Sequence, residues 1–194
     1  MANDPIKPDD VTRVVLDTAR GLYARQGYLT TTIKGVASAA GVAPDLVKRY
    51  FNNREELFAA ALRLPFDPVT SIAKLLNPGI DGLGERLVRW TIDMLDDPEV
   101  REQIALMVRD AKSAANVVST LREFVESVVI DRVAAALRVP DARMRVVLAT
   151  SYLIGVAGSR YVLRMEPLAS ASADETVRMV APAVQSALTA SWSN

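Results

Sequence analysis

An all-α fold is predicted for this chain by three observations. Apolar residues recur at helical spacing along most of its 194 residues, no credible strand is visible, and the turns between periodic segments are short and polar or carry glycine or proline. These features divide the chain into an N-terminal three-helix head with a helix-turn-helix at 9–52 and a C-terminal helical-bundle body at 53–194.

The opening residues, MANDPIKPDD, are polar and proline-bearing and read as a lead-in to the first helix. They lack the charged-then-apolar pattern of an export signal, so a cytoplasmic location is expected. In the next helical segment Ile33, Val36, Ala37 and Ala40 form one apolar stripe behind Thr32, a residue suited to capping a helix start. Gly41 stops that helix, since it can take the left-handed conformation with which a chain leaves one helix for another, and Val42 can plug the angle between them. Pro44 fits the first turn of the following helix, where its missing N–H would be unpaired anyway. That helix is expected to reach about Phe51, with Val47, Tyr50 and Phe51 facing inward and Asp45, Lys48 and Arg49 pointing elsewhere.

A fourth helix is expected over 53–64, then a connector at Pro65 and Pro68 and a second break at Asn77-Pro78-Gly79. Helical patterning follows over 83–95, 98–113, 117–137, 141–165 and 173–191, with Pro182 expected to bend the last helix. The longest weakly polar run, the 14 residues between Arg145 and Arg160, falls short of the ~20 that span a bilayer, so no membrane partner is expected.

Composition narrows the chemistry. The chain has no cysteine and no histidine, which excludes disulfides, thiol nucleophiles, imidazole bases and the usual zinc sites. No cofactor, metal or catalytic residue is expected. The net charge is zero, yet from Val11 to Arg54 seven basic residues, Arg13, Arg20, Arg25, Lys34, Lys48, Arg49 and Arg54, stand against Asp17 and Asp45, a local +5. Taken singly, each suits an ordinary solvated face. Clustered on a helix-turn-helix, they suit phosphate.

The segment 16–59 resembles the tetracycline-repressor (TetR) family of bacterial transcription regulators. Three of that family's blocks stand in register here, at 19–32, 36–43 and 47–57. The resemblance implies a dimeric, non-enzymatic DNA-binding regulator, a repressor released from a near-palindromic double-stranded operator by a small-molecule effector. It departs from the family pattern at four places. Ala43 replaces a capping serine, which weakens that helix start by roughly 1 kcal/mol. Lys48 replaces a phosphate-binding tyrosine, Tyr50 a histidine and Arg54 a lysine. The DNA-binding set is then Thr32, Lys34, Pro44, Asp45, Lys48, Arg49, Tyr50 and Arg54, with Lys48, Arg49 and Tyr50 at the groove and Thr32, Lys34 and Arg54 on phosphates. Tyr50 suits the core equally well.

In the body, Trp90, Met94, Met107 and Phe124 are candidates to line an effector pocket, with plain core packing as the simpler reading of the same residues. Gly155 and Ser159, four apart with small neighbours, make a face that another helix can approach, either inside the body or on a second copy. The family resemblance favours the second copy and places Tyr152, Gly155, Ser159, Val180 and Val184 at a dimer interface. The 56–68 connector and the 82–89 helix are also similar to a subset of the family associated with actinobacteria. Two rival readings are a carboxylate-based metal enzyme using Asp93, Asp96 or Asp97, and a helical interaction module whose head is vestigial.

Overall fold

A computed structural model describes residues 8–64, 66–102 and 115–190, and among these every regular element is helical. They cluster into two compact units, the first formed by 8–69 with 115–128 and the second by 70–102 with 129–190.

In the first unit, α1 (Pro8–Gln26) buries Val11, Val15, Ala19 and Tyr23, spaced four apart on one face, against α2 (Ile33–Ala40), α3 (Pro44–Tyr50), α4 (Arg54–Ala61) and α7 (Ala115–Phe124). Gly27, at φ 83°, ends α1. Asn53 caps α4 by accepting the Glu56 N–H at 2.7 Å, while Glu56 reaches back to the Asn52 N–H at 2.8 Å. The centre is aromatic. Tyr23, Tyr28, Phe58 and Phe124 are all buried, with Phe58 stacked 4.4 Å from Phe124 and edge-on to both tyrosines at 4.8 and 5.0 Å. Burial pushes the Tyr28 phenol up to about 12 and raises that of Tyr23 as well, so both rings are neutral members of the core.

This division differs from a break after residue 52. The fourth helix packs on α1, and α7 supplies Phe124 to the same aromatic cluster. No local pattern signals that a residue so far along the chain completes the head.

The second unit contains α5 (Pro68–Leu76) in its larger part, α6 (Leu83–Asp96), α8 (Asp131–Leu137), α9 (Ala142–Ala157) and α10 (Ala173–Thr189). Helix α5 is an addition to the sequence-based expectation, which has only a connector there. Pro68 opens it and the Asp67 carboxylate accepts the Val69 N–H at 3.0 Å, so residues that punctuate the sequence here start a helix. The 117–137 helix is described from Ala115 and widens into a π-helical turn at Val125–Ile130 before α8, while most of the expected 98–113 helix lies outside the described residues. Helix α9 ends in a second such turn, Gly158–Val162.

Helices α6 and α10 pack backbone against backbone. A Cβ on Gly84 would lie 2.5 Å from the Gln185 nitrogen and 2.8 Å from the Ala181 carbonyl oxygen, so only glycine lets the two backbones meet here. The Gly84 N–H donates to Gln185 Oε1 at 2.7 Å across the same contact. Pro182 sits inside α10, which continues through it. Ser172 and Glu175 form a reciprocal capping box at the start of α10, and hydrogen bonds from Ser172 hold the Glu175 carboxyl below its usual range. The buried Arg160 guanidinium closes the preceding loop, donating to the carbonyls of Leu168 at 2.6 Å and Ala171 at 2.7 Å. Among the described residues, no helix is long and apolar enough to cross a membrane.

Candidate nucleic-acid interface

Helices α2 and α3 form the predicted helix-turn-helix. The Thr32 hydroxyl accepts the Gly35 N–H at 3.0 Å and so fixes the start of α2. Gly41 takes the left-handed conformation, φ 69° and ψ 28°, and the Val42 N–H returns to the Ala37 carbonyl at 3.0 Å. Helix α3 then starts at Pro44 with no side-chain cap from Ala43. The acidic Asp45 in its first turn and the basic Lys48 and Arg49 in its last each complement the helix dipole.

Val47 and Phe51 are the inward anchors of α3, both buried. Tyr50 is a correction to the expected inward face, for its side chain is 39% exposed. Pro44, Asp45, Lys48 and Arg49 are exposed as well. The Lys48 ammonium lies 3.7 Å from the Asp45 carboxylate, with both side chains largely in water. Such a pair contributes roughly 0–1 kcal/mol, so Lys48 can leave it for a phosphate at small cost. Lys34 is exposed on α2.

The basic residues divide by use. The Arg20 guanidinium donates to the Ala61 carbonyl and pairs with Asp17, which ties α1 to α4. Arg54 has an internal role that its charge alone does not announce. Its guanidinium sits 4.2 Å from the Tyr28 ring centroid and donates to the Leu29 carbonyl at 3.3 Å. Arg25, Lys34 and Arg49 keep exposed positions, as Lys48 does.

Three of the four pocket candidates lie among the described residues. Phe124 belongs to the aromatic core of the first unit, so it is core where a pocket wall was expected. Trp90 and Met94 are half-buried on α6 in the second unit, and Met107 lies outside the described residues. Two open grooves occur in the second unit. One, of about 410 Å³, runs past Arg89, Asp174 and Pro182, and the other, of about 420 Å³, past Tyr152, Gly155 and Ser159. Neither is lined by Trp90, Met94 or Phe124.

Of the dimer candidates, Tyr152 and Gly155 are exposed, and Ser159 and Val180 half-buried. Val184 is a correction, because it is fully buried within its own chain and cannot reach a second copy. Its place on an amphipathic helix does not reveal that α10 is packed by both α6 and α9 of the same chain. The same region exposes Ile154, Val162, Leu163, Met165 and Met179. Asp96 accepts a hydrogen bond from the Tyr161 hydroxyl at 2.8 Å, and among the described residues no cluster of acidic side chains is placed to hold a metal ion.

This arrangement of a glycine-broken helix pair and a basic exposed second helix coincides with a match of residues 15–61 to the family model for bacterial regulatory proteins of the TetR family. Residues 81–188, over half of the chain, match the tetracyclin repressor-like C-terminal domain. The chain belongs to the TetR family. This TetR-family protein is accordingly a DNA-binding transcription regulator. A TetR-family regulator from Streptomyces coelicolor A3 is 30% identical to it, with 96% of this chain and 99% of that one covered and a TM-score of 0.47. NalD, the secondary repressor of the MexAB-OprM multidrug efflux pump in Pseudomonas aeruginosa, shares the fold at 16% identity, with 96% and 100% coverage and a TM-score of 0.51. The HTH-type transcriptional regulator HbdR of Aromatoleum sp. (strain CIB) is 26% identical over 115 residues, 58% of this chain. The match spans about half the length of that curated relative, 50%.

Proposed function

We infer that the protein is a homodimeric, cytoplasmic repressor that holds a near-palindromic operator with one α3 from each copy and leaves it when a small molecule binds the body. The observation that carries this reading is the exposed surface of α3, where Lys48, Arg49 and Tyr50 project from a helix anchored beneath by Val47 and Phe51. Lys48 and Arg49 supply charge for phosphate and base edges, and Tyr50 an aromatic surface with a hydroxyl. Thr32 and Lys34 lie on or beside the start of α2, suited to the flanking backbone.

Two such heads about one helical turn apart, roughly 34–36 Å, read a two-fold site. Pairing through α9 and α10 is supported by the exposed apolar residues Tyr152 and Ile154 on α9, Leu163 just beyond it and Met179 on α10, and by Gly155, beside which a Cβ would meet nothing within 4 Å. The effector acts by preferring a body state in which α4 shifts and the two heads no longer match the half-sites.

Selection of genomic fragments with the purified dimer, sequenced and repeated with metabolite mixtures, tests the reading. It is expected to enrich one near-palindromic duplex and to lose it with one mixture. Enrichment of no duplex would overturn DNA recognition, and an effector that saturates the protein without changing operator affinity at fixed salt would overturn induction by that effector. Lys48→Ala is expected to weaken operator binding and reduce the salt slope by about one phosphate contact. Unchanged affinity with an unchanged slope removes Lys48 from the interface.

A further inference from the structure

Helix α7 brings a carboxylate to the DNA-reading head from 95 residues along the chain. Glu123 precedes Phe124, whose ring stacks on Phe58, and one oxygen of its carboxylate accepts two backbone donors, the Tyr28 N–H at 2.9 Å and the Leu29 N–H at 3.1 Å. Gly27 makes the approach possible. At φ 83° it is in the region that disfavours side chains, and a Cβ there would lie 2.8 Å from the same Glu123 oxygen.

Arg54 grips the same stretch of backbone by its acceptor, donating to the Leu29 carbonyl while its guanidinium covers the Tyr28 ring. A carboxylate on the N–H groups and a guanidinium on a C=O thus hold residues 28 and 29. The turn closes on itself beyond them, with the Thr31 hydroxyl donating to the Gly27 carbonyl at 2.7 Å. Thr32, the very next residue, caps α2.

The geometry points to Glu123 as a positioning residue for operator recognition, fixing the turn from which α2 starts and so the seating of the helix-turn-helix on α1. It acts through Tyr28 and Leu29. Hydrogen bonds to a charged acceptor are stronger than neutral ones, and two donors left without it lose their partner together. Helix α7 keeps other ties to α1 and α4, through the Thr120 hydroxyl on the Tyr23 carbonyl at 3.0 Å and through Phe124, so removing the carboxylate releases the turn without undocking the helix.

The inference rests on the DNA-binding reading, and the experiment separates the two. Full-length parent, Glu123→Ala and Glu123→Gln are compared by fluorescence anisotropy on the duplex that the parent selects, across a salt series, and by amide hydrogen exchange without DNA. Deleting a negative charge would by itself tighten binding to a polyanion. Glu123→Ala is nevertheless expected to bind about tenfold more weakly at an unchanged salt slope, because two charge-assisted bonds that order the turn are lost. Its amides at Tyr28, Leu29 and in α2 are expected to exchange faster. Glu123→Gln, which keeps an acceptor oxygen and loses the charge, is expected to bind within about threefold of the parent.

Glu123→Ala binding as tightly as the parent, or faster exchange confined to Tyr28 and Leu29 with α2 unaffected, overturns the inference. A parent that selects no duplex overturns the proposed function instead, and the exchange measurement still decides whether Glu123 seats α2.

Discussion

Two helix pairs in this protein depend on a glycine, and they use it in opposite ways. Between α2 and α3, Gly41 supplies a backbone conformation, with open space where its side chain would stand. Between α6 and α10, Gly84 supplies absence of volume, for its backbone conformation is ordinary helix and the neighbouring backbone fills the space. The first glycine sets a direction and the second a distance. A reader of sequence can find the first, because a direction change leaves a spacing pattern around it. The second leaves none, since its partner lies 101 residues away at Gln185.

The sharpest way to break this contrast is to give both glycines a methyl group. Gly84→Ala is expected to cost about 3 kcal/mol or more, as the added carbon meets rigid backbone on α10 and the helices must part. Gly41→Ala is expected to cost about 1 kcal/mol, the strain of the left-handed conformation alone. Denaturant midpoints at constant slope measure both. Equal losses would show that the two glycines do the same work and would remove the distinction.

The same contrast explains which parts of the molecule were legible beforehand. The α2-turn-α3 layout, the role of Thr32 as cap, the missing cap at Ala43 and the helices of the body follow from spacing and from local hydrogen-bonding chemistry, both encoded within a few residues. Tyr50 was ambiguous because position on a seven-residue helix decides exposure by a small rotation. Helix α5 was hidden behind its own flanking prolines. Phe124, Val184 and Glu123 could not be placed by any local rule. Phe124 and Glu123 meet the head across most of a hundred residues, and Val184 is buried on α10, against which α6 and α9 both pack. A polar residue that accepts two backbone N–H groups in a distant turn carries no mark in sequence that separates it from a solvated Glu.

The smallest effect sharpens the comparison from inside the head, where two helix starts differ by a capping hydroxyl. Helix α2 opens with a threonine whose hydroxyl satisfies an N–H of its first turn, whereas α3 opens at Ala43 with that bond unmade. The Ala43 backbone is already extended, φ −67° and ψ 137°, the conformation a capping residue needs. Ala43→Ser therefore asks for no rearrangement and is expected to stabilise the protein by about 0.5–1 kcal/mol, read as a rise in the denaturant midpoint. If stability does not rise, the α3 N–H groups are satisfied by water at no cost, and the head tolerates an uncapped recognition helix because Val47 and Phe51 hold it from below. If it does rise, α3 is held partly by its own termini. The present alanine then leaves the first turn of the recognition helix looser than that of α2, at the end where Pro44 and Asp45 face outward.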